Sequence, residues 1–173
     1  MSVSALSRFN SLPVGAAEVE LLSCCASPAW AHAVAAGRPY PDVAAVTGAA
    51  GAALARLPWP EVAQALAAHP RIGSRAAGER RDAAWSRREQ AGVDRDDRTL
   101  SALAEVNEAY EARFGHVLLI FATGKSGDEM LDIAQVRLRN DDAVERRVVR
   151  EELAKIAALR VERLLGASEA VAR

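Results

Sequence analysis

The first residue suited to chemistry is a histidine at the end of a predicted helix. His69 follows Val62 and Leu66 at helical spacing, so its side chain should face inward. Pro70 disfavours helical geometry at the residue before it, which predicts that the helix ends at His69. Spacing alone favours a hydrogen-bonded capping histidine. The alternative is a general acid or base, because imidazole titrates near neutral pH.

A second group of polar residues consists of Ser86, Glu89 and Gln90. On a helix these three positions span an arc of about 100°, so all of them could reach one pocket. Charged clusters are usually solvated, and the pattern alone favours an exposed polar face near a helix end.

Two predicted long helices carry a polar residue within an apolar stripe. Asn107 interrupts one stripe, and Arg160 lies between Ile156 and Leu164 in the other. An inward guanidinium needs an anionic partner, which could be a bound substrate or a protein carboxylate such as Glu89. A long side chain can also reach back to solvent, so a surface role stays open.

Helices must position these residues, because the chain is rich in alanine and leucine and its β-branched runs are short. Prolines and glycines divide the chain into helices near 15–25, 28–36, 42–57, 60–68, 78–91, 97–114, 127–139 and 142–166. The strand-like run 117–121 cannot form a sheet alone, which predicts a buried extended segment or a helix start. The sequence therefore predicts an all-α fold without a significant sheet: a single compact domain of about eight helices over residues 1–173, with a frayed tail over 166–173.

Length and charge exclude several classes of partner. The chain has 173 residues, which fits one domain. Its 22 basic and 23 acidic residues leave a net charge of −1, too little to attract nucleic acid or an anionic membrane. No apolar run reaches the roughly 18 residues of a membrane span. We therefore expect neither a nucleic-acid partner nor a membrane.

Cysteines and histidines are not arranged as metal ligands. Cys24 and Cys25 are adjacent, which rarely permits a disulfide, and we expect two small core residues in a reducing compartment. A signal-peptide pattern is absent, so the expected location is the cytoplasm. His32 and His116 lack ligand-like spacing to His69, and we expect no metal site.

Several motifs in their order resemble those of the 2-oxo-4-hydroxy-4-carboxy-5-ureidoimidazoline (OHCU) decarboxylase family. The resemblance extends from Phe9 to Leu165, nearly the whole chain. Each motif is weak alone, but five in order are fairly specific. They are Arg38-Pro39-Tyr40, His69-Pro70-Arg71-Ile72-Gly73, Ser86-Arg87-Arg88-Glu89-Gln90, the run from Asn107 to Gly115, and Leu159-Arg160. The run His116-Val117-Leu118 departs from the bulkier sequence of the family.

The resemblance implies decarboxylation of OHCU to (S)-allantoin in urate breakdown, a step of purine metabolism, by an all-helical homodimer without any cofactor. It places catalysis on His69 and Glu89. The ligand would be a small ureido-imidazoline. The implied substrate-binding residues are Pro70, Ser86, Gln90, Phe121, Ala122, Thr123, Gly124, Lys125 and Arg160.

A competing hypothesis is a non-catalytic helical interaction module. In that case His69, Glu89 and Arg160 form a structural polar network anchored by Asn107. A hydrolase on the same ureide route is a further alternative, but it would need an activated water, and the sequence has no metal-ligand set to provide one.

Overall fold

The computed structural model describes residues 4–74, 81–92 and 97–166, and all regular secondary structure in these ranges is helical. The all-α prediction is confirmed. Part of the helix predicted at 78–91 and the tail from 167 onward lie outside the described residues. The described helices are α1 Ala5–Ser11, α2 Val14–Leu22, α3 Pro28–Ala36, α4 Val43–Arg56, α5 Trp59–Ala67, α6 Arg81–Glu89, α7 Asp97–Phe114, α8 Gly127–Arg137 and α9 Asp142–Leu164.

The first helix was missed by the sequence prediction. Ser4 begins α1, since its hydroxyl accepts a hydrogen bond from the backbone N–H of Ser7 at 3.1 Å. At the other end, Nη1 of Arg38 donates to the carbonyl oxygens of Phe9 and Leu12 at 2.7 and 2.8 Å. A seven-residue helix carries little periodic signal, and this one is completed by an arginine 29 positions away from Phe9.

The motif Arg38-Pro39-Tyr40 has a structural role. Nδ2 of Asn10 donates to the carbonyl oxygen of Tyr40 at 2.9 Å, and the backbone N–H of Tyr40 donates to Oδ1 of Asn10 at 3.0 Å. The Tyr40 hydroxyl donates to the carbonyl oxygen of Val34 at 2.7 Å. The motif therefore ties α1 to the loop between α3 and α4.

Helix starts agree well with the prediction where a side-chain cap is present. Ser27 caps α3 by accepting from the N–H of Trp30 at 3.2 Å, and Pro28 occupies the first turn. Ser126 and Glu129 form a capping box at α8, with hydrogen bonds of 3.2 and 2.7 Å. These local signals explain why α3 and α8 begin at the predicted residues.

The contacts within the chain group into two compact units. Among the described residues, the first unit holds 4–65 and 154–166, and the second unit holds 66–153. The first unit packs Phe9, Leu21 and Trp30, and the indole Nε1 of Trp30 donates to the carbonyl oxygen of Ala50 at 3.0 Å. No described helix combines the length and apolar character of a membrane span.

The core of the second unit contains the run 117–121. This run has no regular secondary structure, and Leu118, Leu119 and Ile120 are buried, as the prediction of a buried segment outside a sheet required. The alternative of a helix start is wrong. Leu118 and Ile120 pack with Leu103 and Tyr110 of α7 in one apolar cluster.

A buried ion pair holds this run in place. Arg137 and Glu145 are 5% and 0% exposed, and Nε of Arg137 lies 2.9 Å from Oε1 of Glu145. Nη1 of Arg137 donates to the carbonyl oxygen of Leu119 at 2.5 Å. The Tyr110 hydroxyl donates to Oε1 of Glu145, and Nδ2 of Asn140 donates to Oε2 at 2.8 Å. The carboxylate therefore has the partners that a buried charge requires.

Candidate active site

His69 lies at the end of α5, as its spacing predicted. The helix ends at Ala67, and the backbone N–H of His69 donates to the carbonyl oxygen of Leu66 at 2.9 Å. The residue is 8% exposed, so the imidazole is almost entirely removed from water. Pro70 follows and fixes its own φ, which limits the freedom of the chain just after the histidine.

Helix α6 buries one side and exposes the other. Ser86 and Glu89 are 7% and 6% exposed, whereas Arg87 and Arg88 are exposed. The interpretation of Ser86 and Glu89 as a solvated polar face is therefore wrong. The hydroxyl of Ser86 donates to the carbonyl oxygen of Asp82 at 3.0 Å.

The histidine segment is joined directly to the end of α6. The backbone N–H of Gly73 donates to Oε1 of Gln90 at 3.0 Å. Gly73 has φ of +84°, a conformation that glycine adopts without strain. Because the amide oxygen of Gln90 is engaged here, its NH₂ group is what this half-buried side chain can offer a ligand.

Two residues of α7 also hold the histidine segment. Nδ2 of Asn107 donates to the carbonyl oxygen of Ile72 at 2.8 Å, and Asn107 is 1% exposed. Arg71 forms a bidentate pair with Glu111, at 2.8 and 2.7 Å. The segment after His69 is therefore tied at three consecutive residues.

The predicted backbone-contact segment approaches the same end of α6. A Cβ atom at Gly92 would lie 2.5 Å from the carbonyl oxygen of Lys125, which no ordinary side chain could tolerate. Gly92 was predicted only as a helix breakpoint, and its partner lies in a distant part of the sequence. Three predicted site segments of the second unit thus meet around residues 90–92.

Within that segment, Phe121 and Lys125 are held by side chains. The N–H of Phe121 donates to Oε2 of Glu152 at 2.6 Å, and Nζ of Lys125 donates to the carbonyl oxygen of Phe121 at 2.8 Å. Ala122 is buried, while Thr123 and Gly124 are exposed. Gly124 has φ of +79°, so a turn forms here and the backbone of the exposed residues is accessible.

Arg160 belongs to the first unit and is 4% exposed. The alternative of a surface arginine is therefore wrong. Its charge acts on Cys25, whose pKa is raised to about 12 by burial, an effect that a hydrogen bond from the Ser27 backbone and the Arg160 charge only partly oppose. That His69, Glu89 and Arg160 meet in one pocket stays a prediction.

A cavity of about 470 Å³ in the first unit contains none of the predicted site residues. Its walls are Ala33, Gly37, Tyr40, Ala49, Ala52, Ala53, Arg56 and Leu57. In the described ranges, no three side chains among the histidines, cysteines, aspartates and glutamates are placed together to hold a metal ion.

The second unit thus combines a nearly buried imidazole, a nearly buried carboxylate, a hydroxyl and an amide. Hydrogen bonds and charges act more strongly in such an environment than in water. Imidazole and carboxylate can each move a proton, and the amide and hydroxyl can orient a polar ligand.

The described ranges are all-helical, and the second unit buries an imidazole and a carboxylate, the groups that acid–base chemistry uses. The model of the OHCU decarboxylase family matches residues 10–162, and the chain belongs to that family. Decarboxylases of this kind are carboxy-lyases.

Solved and curated relatives are consistent with the family. The crystal structure of OHCU decarboxylase in the presence of (S)-allantoin is 26% identical, has a TM-score of 0.74, and the match covers 85% of this chain and 97% of that chain. The crystal structure of (S)-allantoin synthase is 17% identical with a TM-score of 0.70, covering 94% and 54% of the two chains, which shows the fold alone. The Arabidopsis thaliana uric acid degradation bifunctional protein TTL is 28% identical over 153 residues, or 85% of this chain. The match covers 47% of that curated relative, so the chain spans about half its length.

Proposed function

We propose that this chain decarboxylates 2-oxo-4-hydroxy-4-carboxy-5-ureidoimidazoline to (S)-allantoin. The observation that carries the proposal is the placement of His69 and Glu89, which are 8% and 6% exposed in one unit. Their segments are joined by the hydrogen bond between Gly73 and Gln90. Family membership over residues 10–162 supports the same reaction, as does the solved relative named for OHCU decarboxylase with (S)-allantoin.

The substrate provides its own electron sink. Its carboxylate and hydroxyl share one ring carbon, next to a ring C=N bond. When the bond to the carboxylate breaks, CO₂ leaves, the electron pair moves into the C=N system, and the ring nitrogen takes up one proton. The hydroxyl then loses a proton to become a carbonyl, and the ureido-bearing carbon gains one, so no water or external electron acceptor is consumed. We therefore expect turnover without an organic cofactor or a metal.

Each side chain of the proposed site has a role that follows from its chemistry. His69 transfers the proton near the hydroxyl and carboxylate, because imidazole can act in both directions near neutral pH. Glu89 accepts hydrogen bonds from the ureido N–H groups. Gln90 donates through its NH₂ group and Ser86 accepts through its hydroxyl, so the ring is held in one orientation. Proton delivery to a single face then yields one enantiomer.

The remaining contacts follow from the family resemblance. Pro70 and the segment 121–125 line the ligand and offer backbone groups. Arg160 binds an anionic or carbonyl oxygen of the substrate through a charge-assisted hydrogen bond. Orientation of this kind can lower a barrier by several kcal/mol, on the order of 7 or more for ideal geometry.

The direct test generates the labile intermediate from urate, adds the protein, and follows circular dichroism of the product. We expect rapid formation of (S)-allantoin by the wild type, including after exhaustive treatment with EDTA. His69→Ala and Glu89→Gln should each lower kcat by about 10²-fold or more. His32→Ala is the control, because the side chain of this histidine is 70% exposed and its Nδ1 lies 2.7 Å from Oε1 of Glu18, in the first unit.

Three results would contradict the proposal. Racemic product at the spontaneous rate with wild-type protein would favour the non-catalytic helical module. Wild-type rates in both variants would show that the site is elsewhere. Loss of activity in EDTA that a particular metal restores would overturn the cofactor-free mechanism.

We also propose that both units form one decarboxylase domain and that the chain is a homodimer. The family match at 10–162 includes residues of both units, which supports the first point. Helix α4 exposes Ala44, Gly48 and Ala52 at a spacing of four, and such small residues let helices pack closely. Light scattering should give a mass near twice the 18.4 kDa of the chain, and a monomer at micromolar concentration would refute the dimer. A cytoplasmic location stays a prediction.

A further inference from the structure

We infer that Asn107 is a positioning residue for His69, an assignment that rests on the proposed catalytic role of the histidine. Asn107 lies in α7 of the second unit and is 1% exposed. Its Nδ2 donates to the carbonyl oxygen of Ile72 at 2.8 Å, across 35 positions of sequence. The inference depends on how little freedom the chain has between Ile72 and His69.

The histidine is confined on both sides. Before it, the backbone N–H of His69 is bonded to Leu66 in the last turn of α5. After it, the ring of Pro70 fixes one backbone dihedral angle. The position of Ile72 therefore determines much of the remaining path of the backbone, and with it the direction of the imidazole.

Helix α7 provides two of the three tethers of this segment. Asn107 holds the Ile72 carbonyl, and Glu111 holds the Arg71 guanidinium at 2.8 and 2.7 Å. Asn107 and Glu111 are four residues apart, so they lie on the same face of the helix. The third tether, Gln90, is itself a proposed ligand of the substrate. Of the three tethering side chains, Asn107 is the one that is buried, whereas Gln90 and Glu111 are half-buried.

The chemistry of Asn107 favours positioning over simple core packing. It occupies an apolar stripe with Leu103, Val106 and Tyr110. Its Oδ1 atom is buried and has no hydrogen-bond partner in the described part of the chain. A buried polar atom in that state opposes folding, and a leucine here would avoid the cost. The benefit of the asparagine is the directed hydrogen bond to Ile72.

The test compares Asn107→Asp and Asn107→Leu with Asn10→Leu. Aspartate keeps the shape of asparagine but, when ionised, cannot donate to the Ile72 carbonyl. Asn10 is a matched control, because it also bonds a distant backbone, that of Tyr40, in the first unit. The measurements are kcat, KM, melting temperature and the NMR signals of the three histidines.

Both Asn107 variants should lose tenfold or more in kcat with KM changed less than threefold, because misplacement of a reacting group acts mainly on the transition state. The His69 signals should shift while those of His32 stay. Asn10→Leu should lower the melting temperature with kcat and the His69 signals unchanged.

Normal kcat and unmoved His69 signals in Asn107→Leu would overturn the inference, as would an equal loss of kcat in Asn10→Leu. If neither Asn107 variant folds, Glu111→Gln weakens the other α7 tether of the same segment, the pair with Arg71 at a half-buried site, and it should reduce kcat two- to fivefold. Wild-type kcat in that variant would then overturn the inference. If the wild type itself makes no (S)-allantoin, the proposed function fails, and the His69 signals alone decide whether Asn107 positions the ring.

Discussion

Gly92 and the carbonyl oxygen of Lys125 are in such close contact that a Cβ atom at Gly92 would lie 2.5 Å from that oxygen. The oxygen belongs to backbone, which cannot turn aside as the end of a flexible side chain could. The absence of a side chain at Gly92 thus sets the separation between the end of α6, with Glu89 and Gln90, and the segment 121–125.

Gly92→Ala should reduce both stability and turnover. Relief of the contact requires a backbone shift, at a cost of about 1–3 kcal/mol as for other overpacked sites. The same shift moves Gln90 relative to residues 121–125, so kcat/KM should fall at least tenfold. Melting temperature and steady-state kinetics test the two effects.

Gly51→Ala is the control for this substitution. Gly51 is inside α4, and a Cβ there has nothing within 4 Å. Alanine in a helix interior is better than glycine by roughly 0.5–1 kcal/mol, so stability should rise with turnover unchanged. A Gly92→Ala protein as stable and active as the wild type would refute the steric argument.

Glu145→Gln should be strongly destabilising. The change weakens the buried pair with Arg137, and breaking such a pair from one side costs about 3–5 kcal/mol. Chemical denaturation measures the loss. Arg71→Gln, which removes a half-exposed pair with Glu111, should cost much less, because solvent screens that pair. Equal losses of stability in Glu145→Gln and Arg71→Gln would contradict the expectation that the buried pair contributes more than the half-exposed one.

Glu145 also predicts a pH dependence of stability. Burial alone would raise its pKa, but hydrogen bonds from Arg137, Tyr110 and Asn140 outweigh that effect and lower it below the model-compound value of 4.5. The stabilisation that the ionised Glu145 contributes to the folded state is fully present above pH 4.5. It is lost as the pH falls through the lower pKa of the folded state. Between pH 5 and 3, wild type should therefore lose stability more steeply than Glu145→Gln. Parallel curves for the two proteins would contradict this.

Cys25 should be inert to alkylation in the folded protein. The thiol is 1% exposed and its pKa is raised to about 12 by burial, so at pH 8 almost no thiolate exists. Burial raises the pKa of Cys25 from 9.0, so the folded state favours the neutral thiol. The contribution of Cys25 to the stability of the folded state is therefore fully present below pH 9 and is lost as the pH rises toward 12. Iodoacetamide labelling, followed by mass spectrometry, should be slow in native protein and fast in denaturant. Rapid native labelling of Cys25 would contradict the assignment.

Arg160→Met separates a substrate-binding role from a structural one. If Arg160 binds substrate, loss of a charge-assisted hydrogen bond should reduce kcat/KM by about 10- to 100-fold. If its partner is a buried protein acid, the substitution strands that acid and stability falls by about 3–5 kcal/mol. We expect the first result. A large loss of stability with near-normal turnover would refute substrate binding.

Local patterns predicted much of the fold. Helix α3 matches its predicted bounds because Ser27 and Pro28 mark its start within the sequence itself. The predicted bounds of α9 differ by only two residues at its end, since its apolar residues recur at helical spacing from Val149 to Leu164. Inward placement of His69 and Arg160 was predicted for the same reason. Helix α1 was missed because Arg38, from another part of the chain, completes its last turn.

The sequence by itself determined the all-α class, the family and the inward position of His69, whereas the burial of Ser86 and Glu89 was seen only in the tertiary structure. Tertiary structure decided which of these side chains meet. Gly73 bonds Gln90 across 17 positions, Ile72 bonds Asn107 across 35, and Arg71 bonds Glu111 across 40. Periodicity and caps indicate where a helix begins and which of its faces is apolar, because they act between residues about one turn apart. They carry no information about the partner across the core, which is selected only when the packed helices satisfy one another's polar groups.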